Sequence, residues 1–446
     1  PQELRQILRN ATPVERARNF NACALILLAI NLIASPQDAR EERDILMINL
    51  PADWEPSSEE NARFLFLEAL DSLPDSGMVE ADLRKLLSFC KENEVKLPRD
   101  YFQGIFRGVV GQLGFYYRRS GTLLENVHTL QSIYDICGLI IKDCDGRLWH
   151  SSAEAELNYM QGNIDTADEI LLHFLKSPWN TIDRQQRAII ALFLYPRVAL
   201  IRKTAYEFKD WKKLYKKLKA AISDDLTKTS LDMVAIHMSS LLEEPSPKQE
   251  HLIDTINELP EYNALRTMRQ SVRHRLNLSL RKYNLILHTT ETKDPYPSAN
   301  ASQMSRCYDA IARIGALQYF GKAQEASALL KSALHESLQD YFIMPFIEHY
   351  NILKPLLLPL ASDPVYAQFL QQARKMAITP ISEKALEETT LTPREQLIIS
   401  RVRDGWTNKE IADELTTIKK HLTELYKKFH VHSRTQLLLE IDKSQK

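Results

Sequence analysis

Apolar side chains recur at intervals of three and four residues through residues 1–376, and only short polar stretches interrupt them. This spacing places the apolar side chains on one face of successive α-helices. The chain contains only 12 glycines, whereas about 7% of the residues in an average globular protein are glycine. Because long alternating runs of β-branched residues are also missing, the sequence predicts an all-α protein. A chain of 446 residues is expected to form about three domains or one extended repeat array.

The charged residues are informative by position rather than in total. The 57 Lys and Arg residues nearly balance the 58 Asp and Glu residues, which by itself favours neither a nucleic acid nor a membrane as partner. From Leu391 onward, however, 11 basic residues stand against 8 acidic ones. The C-terminal part is therefore basic, and the rest of the chain is mildly acidic.

Two further features concern the surroundings of the chain. The 5 cysteines lack the two-residue spacing of zinc or redox motifs, so we expect free thiols in a reducing cytoplasm. The most apolar stretch, Ala22 to Ala34, is 13 residues long and contains Asn31, whereas a membrane-spanning helix needs about 20 apolar residues. We therefore expect a buried helix there, a cytoplasmic protein, and no membrane among its partners.

Two segments share a pattern typical of helical hairpins. In each, a Gly precedes an Ala by five residues, as in Gly162 with Ala167 and Gly321 with Ala326, and leucines follow. The Gly relieves a tight turn, and the small Ala lets the second helix lie close to the first. A third stretch, from Phe208 to Leu214, is similar without the Gly. These segments resemble tetratricopeptide repeats at irregular intervals, which implies a surface for peptides, partner domains or small ligands; an ordinary large helical domain is the alternative.

A change of pattern divides the chain near its end. Residues 377–390 lose the apolar periodicity and contain Pro380, which predicts a linker between a helical region at 1–376 and a C-terminal unit at 391–446. Three capped helix starts follow, because a hydroxyl residue precedes Glu or Gln by three positions. The pairs are Thr392 with Glu395, Thr407 with Glu410, and Ser433 with Gln436.

A further helix is implied between the second and third of these caps, and it has two different faces. Its apolar stripe consists of Ile418, Leu422, Leu425 and Phe429. On the opposite side we predict base contacts, since Lys can donate to guanine O6 and N7 in the major groove; they are assigned to Lys419, Lys420 and Thr423. Phosphate contacts are predicted mainly at helix N-termini, where backbone amides converge; they are assigned to Thr407, Asn408, Lys409, Thr417, Lys427, Arg434 and Thr435.

The whole C-terminal pattern resembles the LuxR-type helix-turn-helix over residues 391–443. The residues that carry the resemblance are Leu391-Thr392-Pro393-Arg394-Glu395, Gly405, Asn408-Lys409-Glu410-Ile411-Ala412, Leu415, Thr417-Ile418-Lys419-Lys420-His421-Leu422, Tyr426-Lys427-Lys428-Phe429, Val431 and Ser433-Arg434-Thr435-Gln436. The resemblance implies a bacterial four-helix unit whose third helix reads the major groove and whose fourth helix commonly mediates dimerisation.

The body is similar to the large MalT-like class of these regulators, because residues from Asp340 to His349 and the leucines after them look like the end of a helical sensor region. That class usually begins with a nucleotide-binding domain. No Gly-x-x-x-x-Gly-Lys-Ser/Thr motif occurs here, and the sequence begins with Pro1 rather than Met. We therefore expect either a truncated member of the class or a relative that lacks the ATPase, and in this sequence no enzyme, cofactor or metal site.

The sequence thus predicts a sequence-specific transcriptional regulator. Its expected partners are double-stranded DNA, a second copy of itself in a dimer or larger assembly, and a small-molecule inducer or partner protein on the repeat region. One departure keeps a second function open. Only Thr416 separates Leu415 from Thr417, four residues fewer than in the family, so we expect either residues missing from the sequence or a second helix that runs into the third. In the latter case the chain is a helical-repeat interaction scaffold with a non-functional DNA-binding tail.

Overall fold

A computed structural model gives the fold. It describes residues 2–33, 36–99, 101, 111–202, 205–222, 225–242, 263–291, 302–378, 393–403, 406–414, 421–423, 425–426, 431, 433–434 and 436–437. Over these residues the fold is all-α, as predicted. The one β feature in them is an isolated bridge between Leu97 and Ile141.

The described part of the body is a succession of helices. The N-terminal helices are α1 Gln2–Asn10, α2 Pro13–Arg18, α3 Phe20–Ile33, α4 Pro36–Ile48, α5 Ser58–Asp71, α6 Ser76–Glu92, α7 Leu113–Tyr116 and α8 Leu123–Ile140. The following helices are α9 Arg147–Met160, α10 Ile164–Lys176, α11 Ile182–Arg202, α12 Ala205–Ala221, α13 Asp225–Leu241, α14 Asn263–Ser279, α15 Tyr283–Glu291, α16 Gln303–Tyr319, α17 Ala323–Leu338, α18 Met344–Glu348, α19 Tyr350–Leu357 and α20 Ala367–Met376. A short 3-10 helix at Leu358–Leu360 follows α19.

The most apolar stretch of the sequence is a buried helix, as expected. It forms α3, in which Ala24 and Ile30 are fully buried. The polar Asn31 is also buried, and its side-chain amide donates to the carbonyl of Leu70 at 3.4 Å. Within the described residues, no helix is both long enough and apolar enough to cross a membrane.

Both predicted Gly turns join the two helices of a hairpin. Gly162 lies between α9 and α10 with φ of 80°, and Gly321 lies between α16 and α17 with φ of 71°. At each turn the residue after the Gly donates back to the carbonyl five positions earlier, at 2.8 Å for Asn163 and 2.9 Å for Lys322. This closure is the Schellman ending of a helix, which favours Gly because the backbone is left-handed there.

The third predicted stretch is not a turn, because Phe208 to Leu214 lie inside the continuous helix α12. The same closure occurs between α14 and α15, where Arg281 has φ of 57° and Lys282 donates to the carbonyl of Asn277 at 2.8 Å. It also occurs after α6 at Glu94 and after α17 at Tyr341, each with φ of 54°. An arginine in the left-handed region gives no Gly signal, so the sequence pattern missed this turn.

Two Gly to Ala substitutions should separate backbone strain from crowding. A Cβ on Gly321 meets nothing within 4 Å, whereas one on Gly162 meets Gln372 Nε2 at 3.0 Å and Ile343 Cγ2 at 3.2 Å. We expect Gly321→Ala to lower the free energy of unfolding by about 1 kcal/mol through strain alone. Gly162→Ala should lower it by roughly 2–3 kcal/mol, because crowding adds to strain. Urea denaturation measures both, and equal losses would contradict the crowding at Gly162.

Six helices of the body form a closed ring. Helix α9 packs on α11, α11 on α13, α13 on α14, α14 on α16, α16 on α18, and α18 again on α9. Helices α10, α12, α15 and α17 each pack on one or two of these ring helices. The array of hairpins therefore closes on itself, and the inward faces of the six helices meet in the interior.

A buried ion pair lies where the ring helices meet. Arg197 of α11 is 1% exposed, and its Nη1 donates to Glu348 Oε1 of α18 at 3.1 Å. The hydroxyls of Tyr159 in α9 and Tyr308 in α16 donate to the two carboxylate oxygens at 2.7 Å and 3.0 Å. Burial opposes the charge on Arg197, but the carboxylate and the tyrosines outweigh it and raise the pKa of the guanidinium. Four ring helices are thus joined through Glu348.

Breaking this pair from one side should be far more costly than removing both charges. Arg197→Met leaves a buried carboxylate without its cation, and we expect a loss of about 3–5 kcal/mol in the free energy of unfolding. Adding Glu348→Gln should restore a large part of that loss, because no unpaired charge is left buried; the amide oxygen accepts from one tyrosine, and the amide NH2 donates to the hydroxyl oxygen of the other. Urea denaturation of both variants tests this.

The matched control is Arg84→Met. Arg84 pairs with Glu80 at 2.5 Å, but its side chain is 60% exposed, so the expected loss is below about 1 kcal/mol. A double variant no more stable than Arg197→Met alone would contradict the assignment of the pair.

The end of the body is held to the ring. Ile378 is 2% exposed, its N–H donates to the carbonyl of Ile347 at 3.2 Å, and its carbonyl accepts from the side chain of Asn351 at 3.4 Å. This residue falls within the stretch that the sequence predicted as a linker.

Candidate nucleic-acid interface

The C-terminal unit has a small apolar core of its own. Helix α21 spans Pro393–Arg403 and helix α22 spans Asn408–Glu414. The buried residues of the core are Ile398, Ile399, Val402, Ile411, Leu422, Leu425 and Leu437. Leu422 and Leu425 belong to the apolar stripe predicted for the third helix, and both are buried; Ile418 and Phe429 of that stripe lie outside the described residues.

The predicted capping box at the start of α22 is present. Glu410 Oε2 accepts from the Thr407 N–H at 2.7 Å and from the Thr407 hydroxyl at 2.8 Å, while the N–H of Glu410 donates to that hydroxyl oxygen at 3.3 Å. The backbone bond to Thr407, followed by the hydroxyl bond, lowers the pKa of Glu410. Thr407, Asn408 and Lys409 are all exposed. The box thus fixes the start of α22 while the three side chains remain at the surface.

The other two predicted caps are described in part. Ser433 Oγ accepts from the N–H of Gln436 at 3.3 Å, which is the expected side-chain cap of the fourth helix. Helix α21 begins at Pro393, as the first cap predicts, but Thr392 lies outside the described residues. Glu395 of that cap is 1% exposed.

Arg434 joins three parts of this unit. Its Nη1 donates to Asn408 Oδ1 at 2.8 Å, and its Nη2 donates to the carbonyls of Val402, at 3.3 Å, and Trp406. The guanidinium therefore links the start of the fourth helix to the end of α21 and to the first residue of α22. Arg401 lies over the Trp406 ring at 4.6 Å, so a second guanidinium packs on the same loop.

The predicted site residues divide into those that the structure describes and those that it does not. Thr423 is exposed, between the buried Leu422 and Leu425. Arg434 is half-buried, in contrast to the fully exposed residues at the start of α22. Outside the described residues lie Lys419, Lys420, Thr417, Lys427 and Thr435, together with the short turn between Leu415 and Thr417.

Sequence reasoning missed the link through Arg434. Two of its three acceptors are backbone carbonyls, which any residue provides, so no pairing of charges in the sequence indicates it. The position of Arg434 next to the Ser433 cap suggested a phosphate contact instead. The aromatic Trp406 was the available signal, because a large ring in a loop between two short helices needs a partner to cover it.

Comparison with known proteins identifies this unit. Residues 389–440 match the family model described as bacterial regulatory proteins, luxR family. This part of the chain is therefore a LuxR-type helix-turn-helix, a DNA-binding domain of regulatory proteins. No solved structure is significantly similar to the chain.

One relative extends the likeness beyond that domain. The chain is 34% identical over 128 residues to the transcriptional regulatory protein ComA of Bacillus subtilis, an alignment that covers 27% of this chain and 54% of ComA. The chain thus spans about half the length of this curated relative. Since only 58 residues remain from residue 389 onward, the alignment also includes residues before the matched domain.

Removing the Arg434 side chain should loosen the domain. Arg434→Ala abolishes the bonds to Asn408, Val402 and Trp406, and we expect the local stability of α21 and α22 to fall by roughly 1–3 kcal/mol. Arg434→Lys should not restore it, because an ammonium does not reproduce the planar fork. Hydrogen exchange of the amides of Ile398 and Ile411 measures the change. The control is Lys409→Ala, whose exposed side chain has no hydrogen bond to the described side chains of α21 and α22; unchanged exchange in Arg434→Ala would refute the linking role.

Proposed function

We propose that the chain is a sequence-specific DNA-binding transcriptional regulator. The observation that carries the proposal is the luxR-family match at residues 389–440, supported by the capped, exposed start of α22. Residues 391–446 are the DNA-binding domain, residues 377–390 the linker, and residues 1–376 the sensor and interaction region. ComA, the relative described above, is named a transcriptional regulatory protein, which agrees with this function.

The base-reading face is assigned to the third helix. Thr423 is exposed beside two buried leucines, which is what a helix with one packed and one outward face requires. On the same outward face we propose Lys419 and Lys420 as the side chains that donate to base edges in the major groove.

The phosphate contacts are assigned around that helix. The exposed Thr407, Asn408 and Lys409 support the proposal most directly, and Thr417, Lys427 and Thr435 complete it. Arg434 is a positioning residue in this scheme, because its guanidinium already holds Asn408. Two half-sites require a dimer or larger assembly on DNA.

The body is proposed to receive the signal, as in the MalT-like class. Its hairpins at Gly162, Arg281 and Gly321 close in the same way, which supports tetratricopeptide-like repeats. Ring helices that converge on one interior provide a place where a small ligand or a partner protein acts on several hairpins at once. That signal would control self-association and thereby DNA binding.

The decisive experiment is DNA selection with the whole chain. Duplexes recovered from a random library should be bound in gel shifts with a preferred sequence, and affinity should fall at least about a thousandfold between roughly 50 and 200 mM salt. The double substitution Lys419→Ala and Lys420→Ala should abolish the preference while leaving weak, salt-dependent binding. The matched control is Lys331→Ala with Lys354→Ala, two exposed lysines of the body. A preference that survives the first double variant would overturn the base-reading assignment.

One observation supports a second candidate, a helical-repeat interaction scaffold whose DNA-binding tail is non-functional. The sequence has only Thr416 between Leu415 and Thr417, and helices without turn residues cannot form the helix-turn-helix angle. If selection recovers no duplex and the protein mass matches the 446-residue sequence, the scaffold function replaces the first proposal.

A further inference from the structure

Further basic side chains lie buried near the interior ion pair. His237 of α13 is 4% exposed, Arg275 of α14 is 5% exposed, and His349, which follows α18, is 3% exposed. The centroids of the His237 and Phe193 rings are 5.1 Å apart. The guanidinium carbon of Arg197 lies 3.5 Å from the centroid of the same Phe193 ring. Two guanidiniums and two imidazoles thus lie close enough to interact electrostatically.

The residues of this cluster come one from each ring helix. They are Tyr159 of α9, Arg197 of α11, His237 of α13, Arg275 of α14, Tyr308 of α16 and Glu348 of α18. Their separations along the chain are 38, 40, 38, 33 and 40 residues. The near-regular interval indicates that a polar side chain occupies the same inward position in successive repeats. Polar side chains are unexpected in a core and are typical of a surface that binds a polar ligand.

Several donors of the cluster are not used within the protein. Both ring nitrogens of His237, and Nε and Nη2 of Arg197, are buried without a hydrogen-bond partner among the described residues. Burial, followed by the charges of Arg197, Arg275 and His349, holds the pKa of His237 well below its usual value, so the ring is neutral. A buried polar atom without a partner has lost its bonds to water without replacing them, so these atoms oppose the folding of the free protein.

We propose that the interior of the ring binds the anionic group of a small molecule, a carboxylate or a phosphate, through Arg197 Nη2 and the His237 imidazole. The inference rests on the proposed function of the body as a small-ligand sensor and specifies its site and ligand class. Arg197 keeps its bond to Glu348 through Nη1 and donates to the ligand through the other arm of the fork. His237 takes up a proton when the anion is present, because the anion offsets the repulsion by the neighbouring cations.

Binding at this place is coupled to the arrangement of the helices. The unused donor atoms have no contact with water, so the anion enters only when ring helices separate. A ligand that binds only the separated arrangement shifts the population toward it.

Thermal unfolding of the whole chain in the presence of simple anions tests the site. Sodium succinate and sodium phosphate are the carboxylate and phosphate probes, with sodium chloride of equal ionic strength as the reference. We expect at least one probe to raise the Tm above the chloride value, more at pH 6 than at pH 8, because His237 is protonated on binding. If neither probe does so, the proposal is overturned.

Variants locate the effect. His237→Leu removes two buried ring nitrogens that have no partner, so it should fold with unchanged or higher stability and should weaken probe binding at least tenfold. The matched control is His335→Leu, an exposed histidine of α17, which should keep the full Tm rise. The double variant Arg197→Met with Glu348→Gln should also lose the rise. A rise that persists in both interior variants overturns the site.

Gel shifts on the same samples separate this inference from the proposed function. Preferred binding to a selected duplex without any anion effect on Tm contradicts the anion site and leaves the DNA-binding function intact. An anion effect that His237→Leu abolishes, in a chain that binds no duplex, supports the site and contradicts the regulator function.

Discussion

The buried contact between Arg197 and Glu348 is the interaction on which the arrangement of the body depends. The two residues are 151 positions apart in the sequence, yet their bond and the two tyrosine hydroxyls connect helices α9, α11, α16 and α18. An apolar side chain can be replaced by another of similar volume, but a buried charge requires its own partner. We infer that the pair fixes which face of each of these helices points inward, in addition to any stabilisation that it provides.

The two parts of the chain place their polar groups in opposite ways. In the body, the cationic groups near Glu348 are almost inaccessible to water, where electrostatic interactions are strong because the surroundings are apolar. In the DNA-binding domain, Thr407, Asn408 and Lys409 lie at the surface around a core of seven buried residues. There the attraction of a polyanion acts through solvent and weakens with salt. The two proposals thus place a small anion in the interior of the body and a polyanion, DNA, at the surface of the C-terminal domain.

The sequence predicted contacts that span few residues and missed those that join distant ones. The capping box of Thr407 and Glu410 spans three positions, and the turn at Gly162 depends on the backbone freedom of one residue, so both are visible in the pattern. The turn at Arg281 has the same geometry without Gly, so no residue type in the pattern marks it. The cluster around Arg197 could not be recognised from any short stretch of sequence, because its members lie 33 to 40 residues apart. Only knowledge of the inward face of each helix makes that interval visible.

The path from the interior to the end of the body is short. Glu348 is the last residue of α18, and the carbonyl of its neighbour Ile347 accepts the N–H of Ile378, which is the last body residue that the structure describes before the DNA-binding domain. Helix α18 therefore carries both the carboxylate of the interior ion pair and the carbonyl to which the end of the body is bonded. All 5 residues of α18 are buried, and the helix also packs on α19 and α20. Glu348, at the proposed ligand site, is thus next in sequence to Ile347, whose carbonyl accepts the hydrogen bond that anchors the segment leading to the DNA-binding domain.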